Sequence, residues 1–135
     1  MTDKILFIKA TSEKVYDIYC EGFRIKTEKH ELKLLISAFQ ECCERWGYAT
    51  ANENTEDYIG AEYLGYDTIY SDDVWKNADK DTVENINDDE ARLLFLNVKT
   101  SKGTLDFTVY NAHNGFYGHS AYLIIDDKFI ERTCL

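Results

Sequence analysis

The stretch Tyr110–His119, YNAHNGFYGH, holds two of the chain's three histidines, six residues apart, among two asparagines, two glycines and three aromatic rings. Imidazole, amide and ring groups crowded at one loop are what binding and catalytic loops use. In that reading His113 is the acid or base and Asn111 places a substrate group. Tyr110, Asn114, Tyr117 and His119 complete the candidate ligand loop. The competing reading is turn chemistry alone. Asn114-Gly115 between apolar runs is the strongest short-range hairpin signal, a type I′ turn. It pairs Tyr110 with His119, and His113 with Phe116. Alternation then sends His113 and His119 to opposite faces, so the two cannot share one metal ion or one proton.

A second constellation is electrostatic. Residues 1–52 carry eight acids and eight bases, and residues 91–135 carry four acids and five bases. Residues 53–90 carry thirteen acids against Lys76 and Lys80, a balance of −11, so the net charge of −10 resides in this segment. The same segment holds Tyr58, Tyr63, Tyr66, Tyr70 and Trp75. Two readings follow: a solvated acidic face with rings turned inward, or a binding face for a basic protein. In the second, Asp72, Asp73, Asp79 and Asp81 steer the partner and the tyrosines supply rigid contact area.

Other chemistries are disfavoured. Asp79–Glu90 resembles a calcium loop in its acids, but Val83 and Glu84 stand where a ligand and the turn-forming glycine are needed. No metal site and no cofactor are expected. The chain lacks G-x-S-x-G, Walker A, G-x-G-x-x-G and H-E-x-x-H patterns. The acidic balance repels phosphate, so direct nucleic-acid binding is not expected. No apolar run reaches the ~20 residues that span a bilayer, and the start lacks a secretory pattern. Cys20, Cys42, Cys43 and Cys134 have neither disulfide-framework nor metal-finger spacing. That pattern fits reduced thiols in the cytoplasm.

The elements that must position these residues point to one α+β domain over residues 1–135. Strand-like runs open the chain, with a turn at Glu21-Gly22. Leu32, Leu35, Ile36, Phe39, Cys42, Cys43 and Trp46 recur in steps of three and four, which predicts an amphipathic helix over about 28–46. Thr27 is its N-cap and Gly47 its C-terminal cap. Residues 48–70 fit a short helix or an ordered loop, and Ser71 could cap a further helix. The last third reads as a four-stranded antiparallel meander, turning at Ser101-Lys102-Gly103, Asn114-Gly115 and Asp126-Asp127. The sheet packs on the main helix. Near-continuous apolar character in AYLII marks that strand as central and covered on both faces.

Three functions follow from this reading. The leading one is a non-enzymatic inhibitor or accessory factor that meets a basic protein surface through segment 53–90. The second is a small-molecule sensor or small enzyme built on loop 110–119. The third is a structural subunit whose exposed aromatics mark a homo-oligomer interface.

Overall fold

The computed structural model describes residues 2–38, 46–50, 52, 54–70, 92–111 and 119–135. Strands dominate. They are β1 (Ile5–Val15), β2 (Ile18–Thr27), β3 (Glu31–Ser37), β4 (Trp46–Thr50), β5 (Tyr63–Tyr70), β6 (Arg92–Thr100), β7 (Gly103–Asn111), β8 (Ser120–Ile125) and β9 (Lys128–Cys134). They form a five-stranded sheet in the order β1-β2-β3-β8-β9 and a four-stranded sheet in the order β4-β7-β6-β5. Every pairing is antiparallel. The fold is all-β, not α+β.

The predicted helix over 28–46 is not formed where the chain is described: Glu31–Ser37 and Trp46–Thr50 are strands. Phe39, Cys42 and Cys43 lie outside the described residues. The misreading has a physical cause. β3 lies inside the sheet, between β2 and β8. Leu32, Leu34 and Ile36 face the core, while Leu35 is buried in a second cluster on the opposite face. A strand buried on both faces loses its polar alternation, and its apolar residues then mimic helical spacing. Gly47, expected as a helix cap, is a strand residue facing Tyr110: a Cβ there would come within 2.8 Å of the Tyr110 hydroxyl.

Turn chemistry was partly legible. Asp126 and Asp127 take φ of 52° and 65° between β8 and β9, the left-handed values that a two-residue hairpin requires. Ser101-Lys102 closes β6 onto β7, with Thr100 opposite Gly103. The first hairpin turns instead at Tyr16 and Asp17, φ 50° and 65°. Glu21-Gly22 lies within β2, opposite Ile36 and Leu35. Glycine is needed at 22 for close approach, because a Cβ would collide with the carbonyl oxygen of Leu34. Residues 55–58 form one 3-10 turn and 63–70 a strand, in place of a short helix or loop.

The C-terminal meander is also corrected. β6 and β7 pair in the four-stranded sheet, but β8 and β9 belong to the other sheet. Tyr110 lies opposite Leu93 and Gly47, not His119. Among the described residues no helix covers either sheet; a single sheet would leave its apolar face wet, and the two-layer alternative is sheet on sheet. Leu105, Phe107 and Val109 of β7 meet Leu32, Leu34 and Ile36 of β3 and Leu123 of β8 in one core cluster. Phe23 lies against Phe107 with ring centroids 4.9 Å apart. Each such side chain contributes about 1.5–3 kcal/mol when fully buried. Tyr122 and Ile124 of β8 face the opposite side of their sheet. AYLII is central as predicted: Ala121 to Ile124 are buried in succession.

Backbone hydrogen bonds join the two sheets at the Ile5–Ala61 corner. The Ile5 amide donates to the Ala61 carbonyl at 2.9 Å, and the Tyr63 amide donates to the Asp3 carbonyl at 2.8 Å.

Candidate functional site

The described part of the acidic segment begins at the 3-10 turn Thr55–Tyr58. Glu56 and Asp57 stand exposed in it. Lys102 Nζ donates to the Asp57 carbonyl at 3.2 Å and ties the turn to the β6–β7 hairpin. Along β5, Asp67 is exposed and pairs with Lys99 at 2.8 Å. Both partners are solvent-screened, so the pair contributes about 1 kcal/mol at most. Tyr58, Tyr63 and Tyr66 turn the other way, half-buried against the core cluster. Asn52 Nδ2 donates to the Tyr58 hydroxyl at 3.3 Å. Tyr70 pairs with Leu94 through the backbone. In this part of the segment, therefore, acids face solvent while these three phenols pack inward. Asp72, Asp73, Trp75, Asp79, Asp81 and the region of the predicted second helix lie outside the described residues.

Of the loop 110–119, Tyr110, Asn111 and His119 are described; His113, Asn114 and Tyr117 lie outside. Asn111 and His119 are both buried. They meet at one residue. The Leu135 carbonyl accepts from Asn111 Nδ2 at 3.0 Å and from the His119 amide at 3.0 Å, and the Leu135 amide donates back to His119 at 2.7 Å. His119 Nδ1 lies 2.7 Å from the Ser37 carbonyl. A carbonyl only accepts, so Nδ1 carries the proton. The Trp46 ring stands 5.3 Å from the imidazole. These contacts engage Asn111 and His119 in joining the ends of β3, β7 and β9.

A further polar cluster was not found from sequence. His30 sits in the turn between β2 and β3. Its Nδ1 donates to Asp126 Oδ2 at 2.7 Å, and its Nε2 faces Asp3 Oδ2 at 3.9 Å. Both carboxylates also hold the turn's backbone: Asp3 Oδ1 accepts from the Lys29 amide at 2.8 Å and Asp126 Oδ1 from the Glu31 amide at 2.9 Å. The His30 bond and then the Glu31 amide hold the Asp126 carboxyl below its ordinary range. The Tyr63 ring meets His30 edge-on at 5.8 Å. Burial, then Tyr66, Asp3 and Asp126, push its phenol up to about 12. The arrangement is a carboxylate–imidazole pair, with Asp126 bonded to Nδ1 and Asp3 facing Nε2. No spacing rule links residues 3, 30 and 126, so only the fold brings them together.

Among the described residues, no three His, Cys, Asp or Glu side chains converge as metal ligands. No helix among them is long and apolar enough to cross a membrane. No family model, curated protein or solved structure matches the chain.

Proposed function

We propose that the chain is a non-enzymatic interaction protein, an inhibitor or accessory factor, that binds a basic protein surface through the acids of segment 53–90. One observation carries this reading: a balance of −11 is confined to that segment, and three of its four described acids, Glu56, Asp57 and Asp67, are exposed on the β-sandwich. A dense single-sign surface raises encounter rates with an oppositely charged partner and suppresses wrong ones. The phenols of Tyr58, Tyr63 and Tyr66 brace this face from beneath, so the acids carry the recognition. The cytoplasm is the compartment in which we place it. The buried free thiol of Cys20 supports a reducing environment.

The test is affinity capture from cell lysate at low and high salt, with the charge-neutralised variant Asp72→Asn, Asp73→Asn, Asp79→Asn, Asp81→Asn in parallel. A basic protein retained at low salt, released by salt and lost by the variant supports the reading. Equal retention by both forms overturns it. Sedimentation of the purified chain separates self-association from partner binding.

A further inference from the structure

The outer face of the five-stranded sheet, opposite the core, has no second sheet over it among the described residues. Yet Val15, Cys20, Leu35, Tyr122 and Ile124 are buried there. The sheet covers them by curling. The bulge between Leu123 and Ile124 bends it. Tyr16, beside β1, then stacks on Phe129 of β9, with ring centroids 5.3 Å apart and planes 12° apart. Arg132 sits 5.0 Å over the Tyr16 ring, and Tyr122 meets Phe129 edge-on at 5.8 Å.

The curl leaves a pocket of about 240 Å³ between the two sheet edges. That is below the roughly 300–1,000 Å³ of drug-sized sites, so its ligand is small. Its apolar lining is Val15, Tyr16, Ile124 and Phe129. Its polar lining is two acids, Glu13 and Asp127, and two bases, Lys14 and Lys33. Lys33 Nζ donates to Glu13 Oε1 at 2.8 Å and stands 3.6 Å from Glu31 Oε1. An ammonium has three donors, so Lys33 retains the capacity to bond a ligand oxygen. Burial opposes its charge, but Glu13 and Glu31 outweigh burial and hold the ammonium charged. The lining charges cancel. Glu13 and Lys33 already neutralise each other, so a lone anion would face the charge of Asp127 and a lone cation that of Lys14. A molecule carrying both signs satisfies both sets.

We infer that this pocket binds a small zwitterion with an apolar side chain, of the free α-amino acid class. Its carboxylate faces Lys33, its ammonium faces Glu13 and Asp127, and its side chain lies on Val15, Ile124 and Phe129. The lining includes no residue of segment 53–90.

The experiment is calorimetric titration of the full chain with leucine, valine, methionine and phenylalanine, against leucinamide and 4-methylpentanoate. Those two analogues keep the leucine side chain and one charge each. At least one amino acid should saturate, and both single-charge analogues should bind about tenfold more weakly or worse, each having lost a charged hydrogen bond. Phe129→Ala, a change at an exposed rim residue, should weaken binding several-fold while the circular dichroism spectrum stays native. The paired variant Glu13→Gln, Lys33→Gln should bind the zwitterion no better than its analogues. No saturation by any of the four amino acids overturns the inference. So does equal binding of the single-charge analogues, or unchanged affinity in Phe129→Ala.

Discussion

Tyr16, in the turn that leaves edge strand β1, and Phe129, on the opposite edge strand β9, stack with ring centroids 5.3 Å apart. A flat sheet would separate its edge strands by four spacings of about 4.8 Å, roughly 19 Å. The stack therefore reports how far the sheet curls, and it closes the outer-face cluster around Leu35 and Tyr122. Tyr16→Ala should cost about 0.5–1.5 kcal/mol beyond its lost area, the usual worth of an aromatic pair. The denaturant midpoint should fall with little change in slope. The double variant Tyr16→Ala, Phe129→Ala should cost less than the sum of the singles, because either change alone removes the stack.

The close approach of β2 to β3 depends on Gly22. Gly22→Ala places a Cβ against the backbone carbonyl of Leu34, which cannot move without breaking the β2–β3 ladder. A loss above about 2 kcal/mol is expected, in the range of strained core substitutions. Gly47→Ala meets only the end of the Tyr110 side chain, which can swing away. Its loss should be clearly smaller. Urea unfolding of the two variants side by side checks the order, and equal losses would refute the close-approach argument.

The His30–Asp126 pair makes a signed pH prediction. The folded pKa of Asp126 is depressed. Its contribution to stability is therefore present above the unfolded value, about 3.9, and lost as pH falls through the folded value. Asp126→Asn should be less stable at neutral pH and should lose less on acidification than the parent. Thermal unfolding from neutral to strongly acidic pH shows this as two curves that converge at the acid end.

Tyr63 predicts the opposite limb. Its phenol titrates at about 12 in the fold, against about 10 in the unfolded chain. Stability is intact below about 10 and falls as pH rises from there toward 12, because the unfolded chain ionises first. Tyr63→Phe should lack that alkaline decline. Phenolate absorbance near the ultraviolet edge should show one late-titrating tyrosine in the parent that the variant lacks.

For the proposed interaction, neutralising Asp72, Asp73, Asp79 and Asp81 should slow association and flatten its dependence on ionic strength, with dissociation less affected. Stopped-flow or surface-based kinetics at several salt concentrations measures both rates.

What could be read along the chain was local. The Asp126-Asp127 and Ser101-Lys102 turns declared themselves because a hairpin turn is set by the residues in it. The confinement of charge to 53–90 needs no structure at all. AYLII showed as a doubly covered strand because it is a short, continuous apolar run. The same property in ELKLLIS was misread as helix, since Leu35 serves the outer face while Leu34 and Ile36 serve the core. Local spacing does not reveal that a residue has partners on both sides. The split of β7 and β8 between two sheets was equally hidden. The sequence supplied two apolar faces, Leu105–Phe107–Val109 and Ala121–Leu123, that could lie side by side or stack. Tertiary structure decided for stacking: among the described residues, the second layer over each apolar face is the other sheet. The meeting of Asp3, His30 and Asp126, and of Tyr16 with Phe129, is of the same kind. Those contacts join residues far apart in the chain, and they exist only once sheet order and curl have been set by burying the core.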